Sequence, residues 1–215
     1  MEGVVIREFC AENTTNVREA IEAGADRIEL CDRLDLGGVT PVREVIDEAV
    51  ALVHGLGARV MVMVRPRGGD FAYSEPELCQ MERAIGVARE AGTDGVVFGC
   101  VRNGSLDELA TRRLARVADG LDMTFHMAFD EIDSSLQVGA LATLAELGFS
   151  RVLSHGGPLS APIDSCLPRL RELSEAAVGR IVVMPGGGVS WQNAECVAAT
   201  VGTGEVHGTR IVRLS

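Results

Sequence analysis

Short apolar runs alternate with longer amphipathic segments along the whole chain. Eight of the runs are rich in Val, Ile, Leu and Met and end in turn-forming or charged residues, which is typical of buried strands. They are VVIREFCA, RIELC, RVMVMVRP, GVVFGC, MTFHMAFD, RVLSHGG, RIVVMPGGG and GEVHGT. The segments between them carry apolar residues at helical spacing, and several end on Gly just before the next strand. The pattern predicts a repeated unit of one strand followed by one helix.

Repeated strand–helix units predict a parallel sheet with helices outside it. Eight strands favour closure into a TIM-type (β/α)8 barrel, which we expect to form one domain over residues 1–215. An open doubly wound sheet is the alternative, and the absence of a dinucleotide-binding glycine fingerprint after the first strand disfavours it. Only RIVRLS follows the last predicted strand, so we expect the last outer helix to be short or absent. Apolar surface left uncovered there would favour oligomerisation.

Composition excludes several classes of function. The formal net charge of -11 argues against nucleic-acid binding by general electrostatics. No apolar run reaches the roughly 18 residues of a membrane span, and no signal peptide is recognisable, so we expect a cytoplasmic protein that binds no membrane. All 20 basic side chains are Arg, which excludes a Schiff-base aldolase because that chemistry needs a lysine amine. The six cysteines show no CxxC spacing and are predicted to be reduced thiols.

Polar residues cluster where the predicted strands end, which is the end of a barrel that carries the functional site. Side chains two residues apart on a strand share a face. Four strands offer such polar pairs, and strands five and six add further polar residues: Glu8 with Cys10, Glu29 with Cys31, Arg65 with Arg67, Glu205 with His207, then His126, Asp130, Ser154 and His155. We predict that they surround one opening. The alternative is a salt-bridge layer inside the barrel, in which the three glutamates neutralise arginines.

Two loops are candidates for binding an anion. In the RPRGGD stretch, Arg65, Arg67 and Asp70 would form a charged wall of the opening, and the arginines would counter carboxylates or bind an anionic ligand. After strand seven, Gly186, Gly187 and Gly188 lead towards a helix, and backbone N–H groups there would suit a phosphate. The HGT sequence after strand eight, which contains His207, would complete that site. The alternative is that the glycines only permit a tight turn.

The strings RIELC followed by GGVTP, then RPRGGDF, TFHMAFD, PGGGV and EVHGT resemble the CutC family, described as copper-homeostasis proteins, in the same order over nearly the whole chain. The resemblance implies a TIM-type barrel that is a cytoplasmic homodimer or homotetramer. It also implies that the thiols of Cys10 and Cys31 bind Cu(I), and it adds Arg27 to the polar cluster. The chain departs from the family at Met127, where the family has an arginine, and at His155, where it tends to have a small residue.

Two functions follow. Soft thiolates suit Cu(I), and neighbouring strands lie roughly 5 Å apart, so two thiols would bracket one copper ion. The alternative is an uncharacterised enzyme that acts on a small phosphorylated or carboxylated substrate by acid–base catalysis, without a Schiff base. Its catalytic residues would be Glu8, Glu29, Arg65, His126 and Glu205. Its substrate would contact Arg67, Asp70, Gly186, Gly187, Gly188 and His207. The residues favour the enzyme, and the resemblance favours copper, which is the function we expect.

Overall fold

The computed structural model describes residues 5–214. Eight parallel strands form its main sheet: β1 Ile6–Glu12, β2 Arg27–Cys31, β3 Arg59–Met63, β4 Gly95–Phe98, β5 Asp122–Phe125, β6 Arg151–Ser154, β7 Val182–Pro185 and β8 Glu205–Gly208. The helices between them are α1 Val17–Glu22, α2 Arg43–Gly55, α3 Glu75–Ala91, α4 Glu108–Val117, α5 Gln137–Glu146, α6 Ile163–Ala177 and α7 Ala194–Val201. Short 3₁₀ turns follow β2 at Leu34–Leu36 and β5 at Met127–Glu131.

The sheet is a nearly closed barrel. Its strand order is β8-β1-β2-β3-β4-β5-β6-β7, and β7 and β8 lie side by side although no backbone ladder pairs them in the described part of the chain. The TIM-type barrel is therefore confirmed, and the open doubly wound sheet is not what forms. No helix follows β8 within residues 209–214, which confirms that the last outer helix is short or absent. Within residues 5–214 there is also no helix with the length and apolar composition needed to cross a membrane.

Helix α3 shows how local sequence fixes the outer layer. Ser74 caps the helix and forms a reciprocal capping box with Glu77, while Gly92 ends it in a left-handed conformation with φ of 81°. Four buried residues at helical spacing face the strands: Leu78, Met81, Ile85 and Ala88. Such stripes and the outward-facing side chains of the strands form the main apolar core, which lies between the two layers. The inner face of the barrel is left for a different set of residues.

Ion pairs fill the lower interior of the barrel. Arg27 contacts both Glu8 and Glu205, and Arg151 lies 3.0 Å from Glu205 and 2.8 Å from Asp122. Arg27, Arg151 and Glu8 are buried, so each charge depends on its partner. It corresponds in part to the salt-bridge layer that the sequence offered as an alternative: it holds Glu8 and Glu205, whereas Glu29 forms no ion pair with an arginine among the described residues.

We predict that Arg27→Met lowers the free energy of unfolding by about 3–5 kcal/mol, because it leaves Glu8 and Glu205 as buried charges without their shared cation. Urea unfolding followed by circular dichroism measures this change. The matched control is Arg18→Met on helix α1, where Arg18 forms an exposed pair with Glu22 and the expected change is below about 1 kcal/mol. Equal effects of the two substitutions would contradict the prediction.

Candidate functional site

A cavity of about 370 Å³ opens at the carboxyl ends of the strands. The predicted site residues that line it are Cys10, Glu29, Cys31, Arg65, His126 and His207. Apolar side chains complete the wall, among them Met63, Phe71 and Leu153. The structure thus brings together side chains from five strands and the segments that follow them, which is the arrangement expected from the alternation of side chains.

The two thiols converge on one carboxylate. The sulfur atoms of Cys10 and Cys31 lie 3.3 and 3.5 Å from the same oxygen of Glu29, and possible ligand atoms of these three residues all lie within 4.8 Å of one another. In the register of β1 and β2, Cys10 lies opposite Glu29 and Cys31 lies opposite Glu12. The two thiols are therefore offset along the strands, and they meet because they point to the same face. Both are free and buried.

The thiol pair shares its protons unequally. The hydrogen bond from Cys31 lowers the pKa of Cys10 to about 5, against the effect of burial and with help from His207. The same bond to Cys10, together with burial, raises the pKa of Cys31 well above its ordinary value. At neutral pH the pair accordingly behaves as one thiolate and one thiol. A thiolate is the form of cysteine that binds metals.

His207 connects the thiols to the ion-pair layer. Its Nδ1 lies 2.8 Å from Glu8, and its Nε2 lies 3.9 Å from Glu29. Burial would lower the pKa of His207, but the charges of Glu29 and Cys10 and the bond to Glu8 outweigh it and raise the pKa well above the ordinary value. Burial of Glu8 is likewise outweighed by Arg27 and His207, which lower its pKa to about 2. His207 is therefore a buried cation over an ionised carboxylate.

Two methionines that the sequence analysis missed lie beside the thiols. Met61 and Met63 form a small apolar cluster with Cys10, Cys31 and Val97, separate from the main core. The signal was present in the stretch MVMVR, because alternation along β3 places Met61 and Met63 on one face. Thioether sulfur is a soft ligand, so this cluster supplies further soft donors near the thiol pair.

His126 is held as a neutral imidazole. Its Nδ1 accepts a hydrogen bond of 3.3 Å from the backbone N–H of Ala128, so the ring proton belongs on Nε2. That Nε2 is buried and has no hydrogen-bond partner among the described residues. Burial, assisted by the charge of Arg65, lowers the pKa of His126 to about 3. The imidazole packs against Phe71, with ring centroids 4.9 Å apart.

Arg65 lines the cavity but uses most of its N–H groups to hold loops. One terminal nitrogen donates to the carbonyls of Leu36, Gly37 and Gly38 at 3.0–3.2 Å, and the other donates to Gly69 at 2.7 Å. Its guanidinium lies over the Phe71 ring, 4.7 Å from the centroid. Arg65 thereby joins the loop after β2 to the loop after β3.

Arg67 and Asp70 do not lie at this cavity. Arg67 pairs with Glu77 at the start of helix α3 and with Asp70 at 2.9 Å, and it covers Tyr73. Asp70 is exposed and borders a separate pocket. Side-chain alternation predicted that Arg65 and Arg67 would both face the opening. Because β3 ends at Met63, alternation does not hold beyond that residue, and only Arg65 lies at the cavity.

The glycine turn after β7 is covered by side chains. At Gly187, where φ is +70°, an added Cβ would lie 2.8 Å from His155 and Leu159 and 3.1 Å from Met127. Gly186 would meet Leu153 at 2.6 Å, and Gly188 also has a positive φ, of +89°. The glycines are thus required by a tight turn under close packing, and Met127 occupies part of the space in front of them.

Asp130 and Ser154 serve the loop after β6. Asp130 accepts hydrogen bonds from the Ser154 hydroxyl at 2.6 Å and from the backbone N–H of His155 at 2.8 Å. His155 in turn lies 3.1 Å from the Gly186 carbonyl. These predicted polar residues therefore fix the loops beside the cavity.

We predict that His126 stays neutral, with its proton on Nε2, from pH 7 down to about pH 4, because its pKa is about 3 in the folded chain. Two-bond ¹H–¹⁵N spectra of the imidazoles measure the tautomer. Between about pH 6.5 and about pH 3, His126 is protonated in the unfolded chain but neutral in the folded chain. This residue therefore lowers the free energy of unfolding as the pH falls through that range. In His126→Phe the free energy of unfolding should fall less steeply over the same pH range. A cationic His126 at pH 6 would contradict the assignment.

Comparison with known proteins identifies the family and agrees with the fold. The CutC family model matches residues 5–212. A family protein CutC of Enterococcus faecalis is 46% identical over 209 residues, covering 97% of this chain and 100% of the relative. A human protein named copper homeostasis protein cutC homolog is 40% identical over 206 residues, covering 94% of this chain and 72% of the relative.

Solved structures extend the comparison. The crystal structure of CutC from Streptococcus agalactiae matches with a TM-score of 0.94 and 41% identity, covering 97% of this chain and 100% of that one. A deoxyribose phosphate aldolase from Aeropyrum pernix matches with a TM-score of 0.71 at 13% identity, covering 97% and 86%, and this likeness shows the barrel fold alone. The family match over nearly the whole sequence and the close relatives lead to one conclusion: this chain belongs to the CutC family.

Proposed function

We propose that this chain binds Cu(I) at the mouth of its barrel, with the sulfur atoms of Cys10 and Cys31 as the ligands. The observation that carries the proposal is the convergence of the two buried thiols with Glu29, their possible ligand atoms all lying within 4.8 Å of one another, beside a cavity that opens at the strand ends. Cu(I) is a soft ion that favours thiolate and thioether sulfur over oxygen. The donor set therefore fits copper better than it fits a hard divalent ion.

The electrostatics of the pair support binding of a soft cation. Cys10 has a lowered pKa and is available as a thiolate at neutral pH, while Cys31 would release its proton when the ion binds. Two thiolates and one Cu(I) carry a net charge of -1, and the His207 cation lies next to Cys10 to balance it. Met61 and Met63 are buried in the same apolar cluster as the thiols and carry further soft sulfur.

The relatives provide a second line of support. The name of the human relative associates that protein with copper homeostasis. Carried over to this chain, the association fits the thiol pair better than any other feature of the cavity. The cytoplasmic location and the homodimer or homotetramer stay predictions.

The enzyme alternative has less support. Glu8 and Glu205 are engaged in ion pairs with Arg27, and Arg67 lies away from the cavity. Only Glu29 and His126 keep buried side-chain atoms without a hydrogen-bond partner at the cavity in the described part of the chain, apart from one nitrogen of Arg65. These atoms favour a bound ligand and do not by themselves define a reaction.

We predict that the reduced protein takes up one Cu(I) per chain and that Cys10→Ser or Cys31→Ser weakens binding roughly 100-fold or more. The reason is that loss of even an outer partner of a metal ligand costs about 10–100-fold in affinity. Anaerobic titration in competition with a coloured Cu(I) chelator, bicinchoninate, measures both stoichiometry and affinity.

The matched control is Cys166→Ser, since Cys166 is also buried and free but lies in helix α6, away from the thiol pair. Cys166→Ser should bind Cu(I) like the parent. If the double substitution of Cys10 and Cys31 retains the affinity of the parent, the proposed site is wrong.

A further inference from the structure

Arg65 carries a buried positive charge that no side chain of the described residues neutralises. It is 5% exposed, and none of the carboxylates within residues 5–214 lies within ion-pair distance of its guanidinium. Its hydrogen-bond partners are backbone carbonyls, which satisfy N–H groups but carry no full charge. The other buried arginines of the interior, Arg27 and Arg151, each contact carboxylates. Buried charges are normally paired, so the exception at the cavity wall points to an anion supplied from outside.

His126 provides a donor in the same cavity. Its Nδ1 edge is turned towards the Ala128 N–H, which leaves Nε2–H on the opposite edge of a ring that lines the cavity. The residue is 4% exposed, and its Nε2 is one of the few buried polar atoms in the described chain without a partner. Leaving such a buried donor unpaired is unfavourable. A ligand oxygen would remove that cost.

The rest of the wall limits the ligand. Phe71, Met127, Leu153 and Leu159 present apolar surface around His126 and Arg65. The cavity volume of about 370 Å³ lies at the small end of ligand sites. Met127 and Leu159 lie against Gly187, so apolar side chains take part of the space in front of the turn after β7. These limits favour a compact ligand with one small anionic end and an apolar body.

We propose that this cavity binds a small carboxylate with a short apolar body, one carboxylate oxygen accepting the Nε2–H of His126 and its negative charge facing Arg65. Glu29 does not take this place, because its carboxyl group lies beside the sulfur atoms of Cys10 and Cys31 and makes no ion pair with Arg65. The carboxylate site needs no copper, so it stands independently of the proposed function.

Isothermal titration calorimetry of the reduced, metal-free protein tests the proposal with three probes. Isovalerate is the carboxylate probe, isovaleramide is its neutral isostere, and inorganic phosphate is the alternative anion. We expect saturable binding of isovalerate at one site per chain and binding of isovaleramide at least about tenfold weaker, because a hydrogen bond to a charged group is worth more than one to a neutral group. Equal binding of the acid and the amide, binding of phosphate alone, or no saturable binding of isovalerate would each overturn the proposal.

Variants separate the donor from general effects on the fold. His126→Phe keeps an aromatic ring against Phe71 and removes the donor, and it should weaken isovalerate binding about tenfold or more. His54→Phe is the matched control, since His54 is half exposed on helix α2 and does not line the cavity. Unchanged affinity in His126→Phe would overturn the proposal.

The two ligands are titrated separately, isovalerate into the metal-free protein and Cu(I) in the absence of isovalerate, so failure of the carboxylate site can be distinguished from failure of the copper site.

Discussion

The contact on which the interior depends is the one between Glu8 and its two cations. Arg27 contacts one of the Glu8 carboxylate oxygens, and the imidazole of His207 lies 2.8 Å from the other. The carboxylate is fully buried, so it is stable as an anion only because both cations face it. Through Arg27 it belongs to the ion-pair layer that fills the lower barrel, and through His207 it reaches the thiols. The charge balance of the site is therefore built into the structural core.

The same arrangement explains why the two imidazoles of the cavity are in opposite protonation states. His207 faces Glu8 and Glu29 and is held as a cation, while His126 faces Phe71 and the charge of Arg65 and is held neutral. Burial disfavours the charged form of each ring, so the difference comes from the sign of the neighbouring charges. On one side of the cavity, consequently, the Cys10 thiolate lies beside the His207 cation. On the other side, the Arg65 cation has no anion next to it among the described residues.

The sequence predicted the fold because the relevant signals are local and repeated. Alternating apolar runs and helical segments specify the strand–helix units. Period-two alternation also predicted that Cys10, Glu29 and Cys31 would meet, since each lies within a regular strand. The same rule places Met61 and Met63 on that face, but methionine is also an ordinary core residue, so its sulfur did not stand out as a possible ligand. Inside strands, residue type and spacing suffice to place a side chain.

Beyond the strand ends that rule no longer holds, and the remaining part of the site depends on contacts that the sequence does not display. Arg67 follows Met63 by four residues, and its position is set by Glu77, which the capping box of helix α3 holds in place. Arg65 is retained at the cavity by carbonyls of two loops, a pairing that no local pattern specifies. Identical residue types two positions apart therefore have different roles. Whether an arginine is neutralised, and hence whether it is free to attract an anion, is decided by tertiary contacts, and in this barrel only Arg65 lines the cavity while lacking a carboxylate partner among the described residues.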